Sequence, residues 1–370
     1  MRSLALIPSL LLSSAALADI PSVATDITPV HGLVSMVMGD LGTPALLVEP
    51  GASPHGYALR PSQAAALQDA DAVFWIGHDL TPWLDDPLDS LARQAVVVEL
   101  LDTEGTVVHQ FREDAVFAHD EHDEHDEHDE HDEHDEHDEH DEHDEHDEHD
   151  EHDEHDEHDE HDEHDEHDEH DRDAQALDDH DEHENDDHED GHDGHAHDGA
   201  DPHAWLDPEN AVVWLAAIAE TLSGLDPDNA DTYRTNAAAA QAEIAALNTE
   251  IATRLAPVSS RNFVVFHDAF QYFEQRFNLS SAGAISMSDA SSPSAARVAE
   301  IRDAVAEQDV VCVFSEPQFN PGLVATVAAG AQLTTAIIDP LASDLPLGAG
   351  FYPALIQSIA ASVEGCLSAQ

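Results

Sequence analysis

The chain has 370 residues and a formal net charge of -71, because 82 acidic residues stand against only 11 basic ones, all of them arginine. A surface this acidic repels nucleic acid and anionic membranes, and it argues against both as partners. The same charge favours solubility and attracts cations.

The first residues have the pattern of a secretory signal peptide. Arg2 precedes an apolar stretch, Leu4–Leu12, and Ala16–Ala18 forms a small-x-small cleavage site. We therefore expect residues 1–18 to be removed and the mature chain to begin at Asp19 in the periplasm. Since Asp19 is not cysteine, no lipid anchor is expected, and no later stretch is apolar enough to span a membrane. An uncleaved anchor is the alternative.

Strand and helix patterns alternate from Asp26 to Leu101. Three apolar runs are predicted to be strands buried on both faces: Pro44–Glu49, Ala72–Gly77 and Ala95–Leu100. Helical patterns lie between them, and Pro61 suits the first turn of one of these helices. Alternation at this spacing predicts βαβ units with a parallel sheet. We predict an N-terminal α/β metal-binding lobe over residues 19–225.

A run of His, Asp and Glu interrupts this lobe. The three residue types repeat in order from His119 to His170, and residues 113–201 as a whole have too little apolar surface to bury. We predict that this segment is a disordered loop. Its neutral imidazoles can chelate borderline metals weakly, while its carboxylates raise the local cation concentration. The alternative is that the run only keeps the chain soluble.

A long helical pattern follows. Asp207 is expected to cap a first helix, and residues 226–258 are then rich in Ala, Gln, Glu and Leu. A helix of about thirty residues spans about 45 Å, which is too long for an ordinary crossover, so we predict a helix that links two lobes. Strand and helix patterns alternate again over residues 259–370, which predicts a second α/β lobe.

The chain has two cysteines. Cys312 lies in a strand pattern and Cys366 at the end of the last helix pattern. Two cysteines in an exported chain usually pair, so a disulfide is expected. A two-cysteine metal site is the alternative, although no CxxC spacing favours it.

Three histidines and an aspartate lie at the ends of predicted elements, where α/β domains place ligands. His55 follows a predicted strand, and His203 precedes a helix start. His267 and Asp339 each end a predicted strand. Three imidazoles and one carboxylate make a four-coordinate set that suits Zn²⁺. For each residue alone, a surface, turn or capping role is the alternative.

Five motifs, in the same order, resemble those of the periplasmic metal-binding proteins of zinc ABC importers: GASPHGYALRPS, DPHAWLDP, FVVFHDAFQYFEQRF, VFSEPQF and IIDPL. The resemblance covers nearly the whole mature chain except the charged run. It implies two small α/β domains joined by one long helix. It also implies a zinc receptor that delivers its ion to a membrane permease and is not an enzyme. We expect it to be a monomer.

The resemblance implies that His55, His203 and His267 are metal ligands. Manganese and iron members of the wider family usually carry Glu where this chain has His267. Because harder metals favour oxygen ligands, the third imidazole points to zinc. Some zinc members have Glu immediately before the first histidine, where this chain has Pro54. The fourth position then falls to Asp339 or to water.

The same resemblance implies a disulfide between Cys312 and Cys366. Zinc members also often carry a His-rich loop at the place of the charged run, which favours a metal-collecting role for that run.

Two other functions remain open at this point. One is a receptor of the same class for manganese or iron, and the other is a periplasmic zinc buffer without a permease. Selective retention of zinc over manganese would distinguish a zinc receptor from a manganese or iron receptor. Neighbouring genes for a permease and an ATPase would distinguish a receptor from a zinc buffer. A zinc hydrolase has little support, because no motif places a general base beside the three histidines.

Overall fold

A computed structural model describes residues 20–112, 114–117, 199–287 and 293–369, which belong to one unit of the chain. The predicted signal peptide and most of the predicted disordered loop lie outside the described residues. Of the helices within the described ranges, none is both long and apolar enough to cross a bilayer.

The first lobe contains a parallel sheet with the strand order β2-β1-β3-β4. Its strands are β1 (Val23–Thr25), β2 (Ala45–Leu46), β3 (Ala72–Trp75) and β4 (Val96–Glu99). In β4, Val96 and Val97 are 43% and 41% exposed, so the prediction that this strand is buried on both faces is wrong. A strand at the edge of a sheet has only one neighbour, and an apolar run does not reveal that position.

The helices of the first lobe cover its sheet. They are α1 (Thr28–Met38), α2 (Pro61–Gln68), α3 (Asp85–Leu91) and α4 (Pro208–Leu225). Every residue of α1 is buried. Asp207 caps α4 as predicted, because its side chain accepts a hydrogen bond from the Glu209 N–H at 2.9 Å. Pro208 occupies the first turn, where its missing N–H is not needed.

One long helix, α5 (Ala230–Leu255), connects the two lobes and is flanked by 3₁₀ turns at Pro227–Asn229 and Ala256–Val258. Its 26 residues span about 39 Å. Tyr233, Ile244 and Ile251 are buried on one face, at the three- and four-residue spacings of a helix that packs on one side.

The second lobe repeats the architecture, with a parallel sheet in the order β6-β5-β7-β8. Its strands are β5 (Phe263–His267), β6 (Ser281–Ser286), β7 (Cys312–Ser315) and β8 (Thr334–Ile337). Its helices are α6 (Gln271–Phe277), α7 (Ala295–Glu307), α8 (Pro321–Val327) and α9 (Phe351–Leu367). Two α/β lobes with parallel sheets and one long connecting helix confirm the predicted fold class.

A disulfide joins Cys312 in β7 to Cys366 in α9, with the two Cα atoms 5.9 Å apart. It confirms the predicted pairing and excludes the alternative of a two-cysteine metal site. The bond fixes the last helix to the centre of the second sheet.

Short pieces on both sides of the His-rich run are packed, although the sequence placed them inside the disordered loop. Val116 forms an antiparallel bridge with Gly283, and the Phe117 N–H donates to the Ala282 carbonyl at 3.0 Å. On the other side, Ala200 bridges Gln110. Val116 and Phe117 supply apolar side chains that the run itself lacks, and they pack against β6 at the edge of the second sheet.

Candidate metal site

All three predicted histidines line one pocket between the lobes. His55 lies in the loop after β2, His203 directly precedes the 3₁₀ turn Ala204–Leu206, and His267 ends β5. The same wall contains Trp205, Glu316, Gln318, Phe319 and Leu341. Residues that are far apart in the sequence therefore meet because strand ends and helix starts of both lobes face one another.

The spacing of the imidazoles is close to what a zinc ion requires. The centre of the His203 ring is 5.6 Å from that of His55 and 5.4 Å from that of His267. Tetrahedral zinc with Zn–N bonds of about 2.0–2.1 Å places the ring centres of two imidazoles about 5 Å apart. Within the described ranges, no three His, Cys, Asp or Glu side chains hold a metal-binding geometry as they stand. The His203 ring is thus slightly farther from each of the other two rings than a shared zinc ion requires.

A buried carboxylate orients His203. Asp201 Oδ1 lies 2.7 Å from His203 Nδ1 and accepts a bond from the His203 backbone N–H at 3.0 Å. Both side chains are almost fully buried. The carboxylate contacts Nδ1, and Nε2 lies on the opposite edge of the ring. Carboxylates placed in this way fix the orientation and raise the basicity of metal-binding histidines.

His267 has an equivalent partner in the second lobe. Glu316 Oε1 lies 2.6 Å from His267 Nδ1 and also accepts a bond from the His267 backbone N–H at 3.2 Å. Burial raises the pKa of Glu316, and burial likewise raises the pKa of Asp201 to about 7. The site therefore contains two buried acids whose ionised forms a bound cation would stabilise.

His55 is held by its loop. The Pro54 carbonyl accepts a hydrogen bond from Trp83 Nε1 at 2.7 Å, and the Trp83 ring lies 5.6 Å from that of Tyr57. His55 itself is half-buried, unlike the fully buried His203 and His267. It is therefore the more solvent-accessible of the three predicted ligands.

Asp339 does not line the pocket. Its Oδ1 accepts from the Leu341 N–H at 3.0 Å and from Gln318 Nε2 at 3.2 Å. Its Oδ2 accepts from the backbone N–H and the hydroxyl of Ser343 at 2.8 and 2.7 Å. An aspartate that accepts four hydrogen bonds from nearby residues is typical of one that organises a turn. That Asp339 binds metal stays a prediction.

Sequence reasoning missed Glu316 and Gln318, which line the pocket, and Asp201, which is bonded to His203. Asp201 lies two residues before His203, where an aspartate readily bonds the backbone ahead of it. Glu316 directly follows β7, and it meets the same strand-end criterion that selected His267. Asp201 and Glu316 could therefore both have been predicted from the sequence.

A half-buried arginine contacts the residue next to His267. Arg112 precedes the His-rich run and binds Asp268, the neighbour of His267, through its guanidinium Nε at 3.0 Å from each carboxylate oxygen. Its Nη1 also donates to Glu274 Oε2 at 2.8 Å. The carbon of the guanidinium lies 3.6 Å from the centre of the Phe117 ring. The chain beside the run is thus joined to the second lobe next to a predicted ligand.

The sequence profile described as ZnuA, zinc-uptake complex component A, periplasmic, matches residues 23–366. The high-affinity zinc uptake system protein ZnuA of Paracoccus denitrificans is 46% identical over 353 residues, which cover 95% of this chain and 93% of that protein. The protein of the same name from Brucella suis is 42% identical over 347 residues, with 94% and 91% covered.

Solved structures show the same fold. A zinc-bound ZnuA deletion mutant superposes with a TM-score of 0.64 at 23% identity, covering 95% of this chain and 100% of that one. A manganese-bound periplasmic protein of Candidatus Liberibacter asiaticus gives a TM-score of 0.62 at 17% identity, with 94% and 99% covered. The fold alone therefore does not select the metal. With a profile match over nearly its whole length and relatives above 40% identity, the chain belongs to the ZnuA family of periplasmic zinc-uptake components.

Proposed function

We propose that this chain is a periplasmic zinc receptor that captures Zn²⁺ between its lobes with His55, His203 and His267 and delivers it to the permease of an ABC importer. The observation that carries the proposal is the meeting of three imidazoles in one pocket, two of them bonded to buried carboxylates. The protein binds and passes on the ion unchanged, so it acts as a carrier and not as an enzyme.

The donor set favours zinc over manganese or iron. Imidazole nitrogen suits zinc, whereas manganese prefers sites richer in oxygen ligands. The two acids nearest the imidazoles, Asp201 and Glu316, are bonded to the Nδ1 atoms of His203 and His267. They therefore support the nitrogen ligands. The fourth position belongs to Asp339 or to water, the two alternatives that the sequence leaves.

The remaining parts of the chain fit this role. Residues 1–18 direct export and are removed, and residues 19–225 and 259–370 form the two lobes on either side of the linking segment 226–258. The His-rich loop within residues 113–201 collects zinc at low affinity. The receptor works as a monomer.

Zinc titration against a competing chelator tests the assignment of the site. The mature protein and a variant lacking residues 118–198 should each retain one tightly bound zinc per chain, because the pocket lies outside the deletion. His203→Ala and His267→Ala should each weaken this site by orders of magnitude. Loss of all tight zinc on deletion would place the site in the run and contradict the proposal.

His78→Ala is the matched control, because His78 is an exposed histidine paired with Asp85 at 2.5 Å outside the pocket. It should leave the affinity for zinc unchanged. Parallel titrations with Mn²⁺ decide between metals, and tighter retention of manganese than of zinc would favour the alternative receptor.

Growth under zinc chelation separates a receptor from a periplasmic buffer. A receptor supports growth only in cells that also contain its permease, whereas a buffer helps cells without the permease equally. An equal benefit in both strains would contradict delivery to the permease.

A further inference from the structure

The pocket wall contains an amide whose two ends differ in their bonding. Gln318 Nε2 donates to Asp339 Oδ1 at 3.2 Å, and this contact sets the orientation of the amide. Gln318 Oε1 is buried and has no hydrogen-bond partner among the described residues. Buried polar atoms in folded proteins are nearly always hydrogen-bonded, so such an atom in the wall of a binding pocket points to a donor that arrives with the ligand.

Asp339 cannot supply the fourth ligand without rearrangement. Its Oδ2 is bonded twice by Ser343, and its Oδ1 is bonded by the Leu341 N–H as well as by Gln318. Turning the carboxylate toward the imidazoles would break several of these bonds. Asp339 is also absent from the pocket wall, whereas Gln318 lies in it.

The chemistry of zinc supplies the missing donor. Three imidazoles leave the fourth position of a tetrahedral ion to another group, and water commonly fills it. Binding to Zn²⁺ acidifies the water and makes it a strong hydrogen-bond donor. A neutral amide oxygen is not among the usual zinc ligands, but it accepts such a bond well.

We propose that Gln318 Oε1 accepts a hydrogen bond from a water molecule on the fourth position of the bound zinc, and that Asp339 is a positioning residue that holds Gln318. The inference rests on the proposed zinc site. It assigns Gln318 a role in retaining the ion, and it gives Asp339 an effect on zinc without contact between the two.

A double-mutant cycle tests the arrangement. Gln318→Leu and Asp339→Asn should each lower the zinc affinity about 10-fold, the lower end of the range for residues that support metal ligands. The double variant should lose no more than the larger single effect, because both changes remove the same hydrogen-bonded unit. If Asp339→Asn lowers the zinc affinity by the same factor in the Gln318→Leu variant as in the parent protein, Asp339 acts independently of Gln318, and the inference is wrong.

The visible spectrum of the cobalt-substituted protein gives a second test, because its response to azide would not change if Gln318 only supported the fold. Azide should replace a coordinated water and change the visible spectrum of the Co²⁺-loaded protein. Gln318→Leu should change the azide affinity, because the water that azide displaces has lost its acceptor. A spectrum that azide leaves untouched in the parent protein would show that no exchangeable water occupies the fourth position.

Gln308→Leu is the matched control. Gln308 Oε1 is also buried and without a partner among the described residues, but it lies after α7 and away from the pocket. This change should leave zinc affinity and the cobalt spectrum unaltered. If His203→Ala keeps tight zinc, the proposed zinc site itself fails; if it loses zinc while Gln318→Leu does not, only the role of Gln318 fails.

Discussion

His203 and His267, the two histidines buried in the pocket, are each oriented by one carboxylate. The carboxylates can therefore be changed while both imidazoles stay in place. Asp201→Asn and Glu316→Gln keep a hydrogen-bond acceptor near Nδ1 and remove the charge. We expect each change to lower zinc affinity about 10- to 100-fold, because the imidazole becomes less basic and less firmly held. Chelator competition measures the change.

Glu364→Gln provides the control for these two variants. Glu364 binds Arg254 at 2.5 Å on the surface of the second lobe, away from the pocket. Its loss should leave zinc affinity unchanged. If Asp201→Asn and Glu316→Gln behave like this control, the carboxylates only support the fold.

A second residue-scale prediction concerns Asp26, which is fully buried after β1 and accepts hydrogen bonds from the N–H groups of Ile27 and Ile76, both at 2.7 Å. Burial raises its pKa to about 7. The folded state therefore binds a proton that the unfolded state has released, so this group lowers stability as pH rises from about 4 to 7. Asp26→Asn should remove that dependence.

Urea unfolding of the zinc-free protein at pH 5 and pH 8 measures the effect. Relative to the parent, Asp26→Asn should gain about 2.5 kcal/mol in unfolding free energy from pH 5 to pH 8. The lost carboxylate bonds add a cost to the variant that is the same at both pH values. A difference that does not change with pH would contradict the raised pKa of Asp26.

At the scale of elements, the packed segment before the His-rich run joins the second sheet through Arg112. The Arg112→Met change would leave Asp268 and Glu274 buried without their cation. Removing one partner of a buried ion pair typically costs about 3–5 kcal/mol, so we expect a loss of that order in unfolding free energy. Urea denaturation of the zinc-free protein measures it.

The exposed pair of Arg234 and Asp231 provides the comparison for Arg112. Arg234→Met should cost less than about 1 kcal/mol, because water already solvates both charges. Equal losses for the two arginine variants would mean that the Arg112 contacts contribute little to stability.

The elements also show what sequence patterns can and cannot predict. Alternating apolar runs predicted β3, β5 and β7 because these strands are buried, and composition predicted α5. The patterns missed β1, which has only three residues, and they did not reveal that β4 lies at an edge. Sheet order depends on contacts between distant segments, which local periodicity does not contain.

The candidate site also has features that the sequence predicts and features that it does not. His55, His203 and His267 could be selected because they lie beside the ends of elements. The distances between their rings depend on how the two lobes meet, and the bonds that Asp201 and Glu316 make to them depend on the local geometry within each lobe. Spacing in the sequence carries no information about that geometry, and it equally could not show that the oxygens of Asp339 are already bonded.

At the scale of the whole molecule, buried hydrogen bonds connect the lobes beside the pocket. Thr28 Oγ1 donates to the Leu341 carbonyl at 2.8 Å, and Trp205 Nε1 donates to the Pro340 carbonyl at 2.8 Å. The Tyr352 hydroxyl donates to the Trp205 carbonyl at 2.8 Å. A Cβ added to Gly32 in α1 would lie 3.2 Å from atoms of Phe351 in α9, so the two lobes also approach closely there. These contacts favour a receptor whose lobes change their relative angle little.

The last prediction concerns the His-rich run, whose proposed role depends on neutral imidazoles. Carboxylates beside the histidines of the run favour the protonated form of imidazole, so protons compete with metal as pH falls. Zinc bound by the full chain in excess of the variant lacking residues 118–198 should be largely lost from pH 7.5 to pH 6. It should also fall at high salt, which screens the carboxylates. The pocket, with its proposed ligands already oriented, should keep its ion under both conditions.

Isothermal titration of both proteins at the two pH values and at low and high salt measures this excess. A third variant, in which every histidine of the run is replaced by Gln, separates imidazole binding from attraction by the carboxylates, because it keeps the acids. That variant should lose the pH-dependent part of the excess and keep only weak, salt-sensitive binding. If the excess is the same at pH 7.5 and pH 6, or is zero at both, the run does not collect zinc and serves only to keep the chain soluble.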